Sequence, residues 1–192
     1  MMGRMGKLLV LVNGLPGAGK STVGQALAPA LRARLLSKDA VKEALATCVE
    51  DPAALPDLGG VAMDAAWSMA RTSPTSVVID SWWFAPRDTQ FARAGIEKVG
   101  ADRAVEIWCD VPPSVARTRY ASRRRPGFYH DAQRLGTQWD RWAREAAPLG
   151  LTPVVTIDTT RPVDYTALAA QIHRVAGEPL THGGPFSAFR DQ

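Results

Sequence analysis

The chain has 192 residues, 46% of them hydrophobic and 22% charged. These globular proportions leave room for one domain with a core, and they argue against a fibre, a disordered chain or tandem domains. Twenty-three Lys and Arg against nineteen Asp and Glu give a net charge of +4, which suits phosphate ligands without requiring a nucleic-acid coat. Cys48 and Cys109 stand in no metal-ligand spacing and suggest neither a disulfide scaffold nor a zinc site, so a reducing, cytoplasmic compartment is expected.

From the amino end, MMGRMGK precedes the apolar run Leu8-Leu9-Val10-Leu11-Val12, which stops at Asn13-Gly14. Such a run is too short for an export signal and far below the roughly 18 to 20 apolar residues of a membrane span, so it reads as a buried strand with no membrane role. Further strands are expected at 34–37, 77–79, 104–108 and 153–157. Helices are expected at 20–32, 39–48, 57–72, 86–99, 112–123, 132–147 and 163–176, with Pro112, Pro113 and Pro162 suited to helix starts. Strands alternating with helices predict a five-stranded parallel sheet covered on both faces, an α/β three-layer sandwich. One domain is expected over 1–176. Residues 177–192, without helical or strand period, read as a tail that is loose or docked through Phe186 and Phe189.

Between the first strand and first helix, Gly14-Leu15-Pro16-Gly17-Ala18-Gly19-Lys20-Ser21 satisfies G-x-x-x-x-G-K-[ST]. Its glycines let successive backbone N–H groups point inward around a phosphate chain, and the following helix presents its positive end. Lys20 is placed to reach the β/γ-phosphates and Ser21 to ligate Mg²⁺, with Thr22 next in the same turn. ATP or GTP with magnesium is the implied cofactor, and a bare strand-to-helix turn is the alternative.

Three other segments bear on what is done with that nucleotide. Asp39 follows the second strand, where open parallel sheets bind ligands, and reads as a general base for an acceptor hydroxyl, as a helix N-cap, or as both. Lys42, one turn later on the same face, reads as a contact to an anionic group of the acceptor or as a solvated lysine. Val77-Val78-Ile79-Asp80 has the form of a Walker B strand, with Asp80 near Mg²⁺, and Trp82, Trp83, Phe84 and Arg87 follow it. At least one of those aromatics is expected to face an acceptor pocket, against the alternative of core packing. Finally, a helix from Pro112 is expected to carry Arg117, Arg119, Arg123, Arg124 and Arg125 up to Pro126-Gly127, with Arg119 and Arg123 on one face. It reads as a lid, at about residues 117–134, that brings guanidinium charge over a transferring phosphoryl group, or as a basic nucleic-acid patch.

With these elements in order, the chain resembles the P-loop kinases that include polynucleotide 5′-kinases, zeta-toxin-like kinases and chloramphenicol phosphotransferase. The resemblance rests on GLPGAGKS, Ser37-Lys38-Asp39, Val-Val-Ile-Asp80 and the stretch from Cys109-Asp110-Val111-Pro112 through Arg119-x-x-x-Arg123. It implies a P-loop NTPase sheet of strand order 2-3-1-4-5, Asp39 as hydroxyl-activating base, Asp80 as a second acidic group, and Arg119 and Arg123 as lid arginines. It also places Asp158-Thr159-Thr160 near the adenine. Lys42 where polynucleotide kinases carry arginine, and the Trp82-Trp83-Phe84 run, depart from the pattern.

The expected function is transfer of the γ-phosphoryl group of ATP to a hydroxyl of a small molecule such as a natural product, sugar or antibiotic. The alternatives are a 5′-hydroxyl kinase of nucleic acid, which needs a continuous basic track, and a nucleotide-binding switch without transfer. Trp139 with Trp142, and Met63 with Trp67, have the spacing of packed helix faces, and His130 reads as a solvated loop residue or an acceptor contact.

Overall fold

The structure, a computed structural model, describes residues 6–177. Its strands are β1 (Leu8–Asn13), β2 (Arg34–Ser37), β3 (Val77–Asp80), β4 (Arg103–Asp110) and β5 (Val154–Asp158). They form one all-parallel sheet in the order β2-β3-β1-β4-β5. The α-helices are α1 (Lys20–Ala30), α2 (Lys38–Ala46), α3 (Leu58–Thr72), α4 (Ala85–Val99), α5 (Pro113–Ala121), α6 (Asp131–Thr137), α7 (Trp139–Glu145) and α8 (Tyr165–Val175). The expected strand order and three-layer arrangement are therefore present.

Every residue of β1 is buried, and alternate side chains of a strand face opposite ways. Leu8, Val10 and Val12 accordingly enter one core with Leu27 of α1, Ala116 of α5, Trp142 of α7 and Ile172 of α8. Leu9 and Leu11 enter the other with Trp67 of α3 and Ala92 of α4. The parallel arrangement brings Asn13, Ser37, Asp80 and Asp110 to the same sheet edge, where the connecting loops build the site.

Four local expectations are corrected. The helix at 112–123 stops at Ala121: Ser122 Oγ donates to the Arg119 carbonyl at 3.0 Å, and Pro126 forbids continuation. Arg123, Arg124 and Arg125 therefore lie on a non-helical segment, and Arg119 and Arg123 do not share a helical face. Second, 132–147 is two helices, broken at Gln138 (φ −118°) after the weak helix formers Gly136 and Thr137, with Trp139 and Trp142 both buried against Tyr120. Third, the N-cap of α2 is Ser37, whose Oγ accepts from Ala40 N, so Asp39 stands inside the first turn with its carboxylate free for other partners. Fourth, α8 starts at Tyr165, capped by Asp164, rather than at 163. The expected tail, with Phe186 and Phe189, falls outside the described residues beyond Gly177. Among the described residues no helix is long and apolar enough to cross a membrane.

Candidate active site

The phosphate loop joins β1 to α1 with Gly14, Gly17 and Gly19 at positive φ. Gly17 has a second reason to lack a side chain: a Cβ there would run into the Ala116 carbonyl of α5, which packs across the loop. Asn13 anchors the loop from inside the sheet. Its Oδ1 accepts from Gly14 N at 2.7 Å and from Trp83 N at 3.1 Å, and its Nδ2 donates to Trp83 O and to Glu106 Oε1. One buried amide thus ties the phosphate loop to the aromatic loop after β3, an arrangement that sequence reading did not anticipate.

Lys20 Nζ donates to the carbonyls of Gly14 and Leu15, both at 2.9 Å, and lies 5.9 Å from the centre of the Trp82 ring. Burial, reinforced by the like charge of Arg123, brings its pKa down to about 8. Ser21 Oγ donates to Asp80 Oδ2 at 2.7 Å, while Asp80 Oδ1 is buried without a hydrogen-bond partner. A hydroxyl and a carboxylate with a spare buried oxygen are hard donors that fit Mg²⁺. Thr22 is exposed in the same turn of α1.

Asp39 projects from α2 into a cavity of about 670 Å³ that Lys20, Ser21, Asp80 and Arg123 also border. Its Oδ2 accepts from Arg125 Nη1 at 2.8 Å, and its backbone carbonyl accepts from the Tyr129 hydroxyl. Arg125 also grips Asp131 of α6 through Nε at 2.8 Å and Nη2 at 2.7 Å, and its guanidinium lies 3.9 Å from the Tyr129 ring centre. Burial disfavours the Asp131 charge, but hydrogen bonds from Arg125 and Tyr120 outweigh it and hold this carboxyl below its ordinary value. The segment after α5 is thereby docked across the sheet edge onto α2. Arg125, which carries that docking, was absent from the expected site because both its carboxylate partners lie elsewhere in the chain.

Arg123 stays at the cavity, 5.8 Å from the Tyr120 ring centre. Arg119 points elsewhere: exposed on α5, it directs both terminal nitrogens at the Thr159 carbonyl at 3.4 Å, beside Gly19 of the phosphate loop. Arg123 and Arg125 both line the cavity, whereas Arg119 lies at the Thr159 carbonyl beside the phosphate loop. Thr160 donates from N and Oγ1 to Asp158 Oδ1, shaping the loop that Arg119 touches.

The three aromatics after β3 divide between the cores and the cavity. Phe84 joins the α1/α8 core, Trp83 packs on Trp67 with ring centres 6.1 Å apart, and half-buried Trp82 borders the cavity between Phe84 and Trp142. Arg87 borders it too, but its guanidinium is taken by Asp88 at 2.6 Å. Lys42 is buried and lies over the rings of Phe128 and Tyr129. His130 is exposed, in the left-handed region with φ 53°.

A family model described as an AAA domain (AAA_33) matches residues 9–149. The chain belongs to that family. No curated protein matches the AAA-domain chain. Among solved structures it is similar to a candidate kinase from Chloroflexus aurantiacus, with 26% identity, a TM-score of 0.70, and 89% of this chain and 99% of the other covered. It shares its fold with the shikimate kinase of Acinetobacter baumannii in complex with shikimate (20% identity, TM-score 0.51, 88% and 92% covered). The same holds for a gluconokinase from Sinorhizobium meliloti (21% identity, TM-score 0.50, 89% of each chain). These matches bear on P-loop kinases as a class. The narrower resemblance to polynucleotide, zeta-toxin-like and chloramphenicol kinases is not among their findings.

Proposed function

We propose that this AAA-domain chain transfers the γ-phosphoryl group of ATP to a hydroxyl of a small molecule. One observation carries the reading: Lys20, Ser21, Asp80, Asp39 and Arg123, from four separate stretches of the chain, border a single cavity. Its volume of about 670 Å³ suits a metabolite-sized acceptor.

In this reading the acceptor hydroxyl sits against Asp39, which takes its proton as the oxygen attacks the γ-phosphorus. The bond from that phosphorus to the β–γ bridging oxygen breaks, and ADP leaves with the electron pair. Lys20 and Arg123 neutralise charge spread over the transferring group, and Arg125 holds the Asp39 carboxylate in place. Ser21 and Asp80 would hold magnesium, which when bound supplies charge neutralisation at the phosphate oxygens. Trp82 and the lid aromatics exclude water from the transfer, so that the γ-phosphoryl group goes to the acceptor in preference to solvent.

The test is incubation with Mg·ATP and separate panels of small alcohols and 5′-hydroxyl oligonucleotides, with product masses read directly. A mass gain of one phosphoryl group on a small alcohol is expected. Gain only on the oligonucleotides would favour the nucleic-acid kinase, and ADP without any phosphorylated acceptor would favour a nucleotide switch.

A further inference from the structure

Beside Asp39 and the phosphate loop, the cavity carries cations that form no ion pair among the described residues. Lys42 is 6% exposed and borders the cavity. Its ammonium lies 4.3 Å from the Tyr129 ring centre and 5.0 Å from that of Phe128. The two nearest carboxylates on α2 are engaged elsewhere, Asp39 by Arg125 and Glu43 by the Tyr129 hydroxyl, and Lys42 forms no ion pair among the described residues. Lys38, half-buried and also without an ion pair, carries its Nζ to the Gly59 end of α3 at the same cavity. Arg134 adds a third positive charge at the cavity, close enough to act on both lysines.

Burying an ammonium among other cations is costly unless an anion joins them, and aromatic faces repay only part of that cost. Trp82 and Trp83 also line the cavity, and their indole nitrogens are buried without a hydrogen-bond partner among the described residues. Trp67, Met63 and Leu55 give the cavity an apolar wall beside these cations.

We propose that the acceptor is an anionic alcohol, its carboxylate or phosphate-ester group held by Lys42 and Lys38 and its carbon body lying on the Trp67–Met63 wall. The inference rests on the kinase reading for the hydroxyl. It adds that one acceptor presents its hydroxyl and its anionic group to the same helix, because Lys42 follows Asp39 at i+3 on α2.

The test separates anion binding from transfer. The full chain is saturated with magnesium and the non-hydrolysable analogue AMP-PNP, which takes up the phosphate loop. It is then melted in rising sodium sulfate or sodium acetate, with sodium chloride at equal ionic strength as reference. A saturable rise in melting temperature beyond chloride is expected. Its apparent affinity is expected to fall about 10- to 100-fold in Lys42→Met and to survive in Lys42→Arg. Stronger response to sulfate indicates a phosphate ester and stronger response to acetate a carboxylate. Lys38→Met, at a half-buried site, should weaken the same response and keeps the test decisive if Lys42→Met folds poorly. No rise beyond chloride, or a rise that both methionine variants leave unchanged, overturns the proposal.

Transfer is read separately by product mass on matched neutral and anionic alcohols. Anion binding with no transfer to any alcohol removes the kinase reading and leaves the anion subsite standing. Equal kcat/KM for neutral and anionic members keeps the kinase and overturns the subsite.

Discussion

Lys20 and Lys42 share an electrostatic predicament: each is buried near other cations, and each has its pKa brought down to about 8 from an ordinary 10.5. The fold therefore penalises their protonated forms; that cost is full below about pH 8 and is relieved as pH rises towards 10.5. Phosphate and anion binding need the opposite state, the charged one. Because kcat/KM reports the free enzyme, it is expected to be level near neutrality and to fall as pH passes about 8 for both ATP and acceptor. Initial rates at low substrate measure this, and a profile still flat at about pH 9.5 would contradict it. Lys20 and Ser21 were legible from the motif because the loop chemistry is local. The burial of Lys42 was not, since Phe128 and Tyr129, which cover it, lie far along the chain and reach it only through the fold.

At the scale of elements, the segment docked onto α2 depends on how α5 ends. Five arginines close in sequence look like a continuing basic helix, yet Ser122 and Pro126 stop it and leave Arg123 and Arg125 on a non-helical segment from which Arg125 reaches Asp39 of α2. Asp131 at the start of α6 then receives Arg125 twice and the Tyr120 hydroxyl once, the latter at 2.7 Å. Because its pKa is held below the ordinary 3.8, Asp131 stabilises the docked segment fully above that value, and the contribution is lost as pH falls from there through the lowered pKa. Asp131→Asn is expected to cost about 1–3 kcal/mol and to speed proteolysis between residues 122 and 130, as charge-assisted bonds to Arg125 are lost. Melting curves and limited proteolysis check this; a variant that melts and resists protease like the parent would refute the docking role. The capping of α2 was hidden for a related reason. Ser37 and Asp39 are both good N-cap residues, and only the backbone turn decides that Ser37 caps while Asp39 faces the cavity.

Across the whole molecule, the sheet brings distant residues into one buried network. Glu106, fully buried on β4, accepts from Asn13 Nδ2, Leu149 N and Gly150 N at 2.9, 2.9 and 3.1 Å. Asn13 in turn holds the phosphate loop and the Trp83 loop. Glu106→Gln replaces one acceptor oxygen by a donor facing existing donors, and a loss of about 1–3 kcal/mol is expected, with weakened ATP binding as Gly14 loosens. Thermal unfolding and nucleotide titration measure the two effects, and unchanged stability would show that the carboxylate is not needed there. The parallel sheet followed from the alternating elements, and its strand order from the resemblance. The Asn13–Glu106 link did not, because a Glu inside an apolar strand has no local signature of its partners.

The central claim is that the phosphate loop and the Asp39 carboxylate act on one reaction, across one cavity. Single-turnover transfer by Asp39→Asn, set beside its affinity for Mg·ATP, tests it most directly. A fall in the transfer rate of about 10²- to 10⁴-fold, with ATP affinity within a few-fold of the parent, is the expected result. Transfer at the parent's rate by the Asn variant would contradict it.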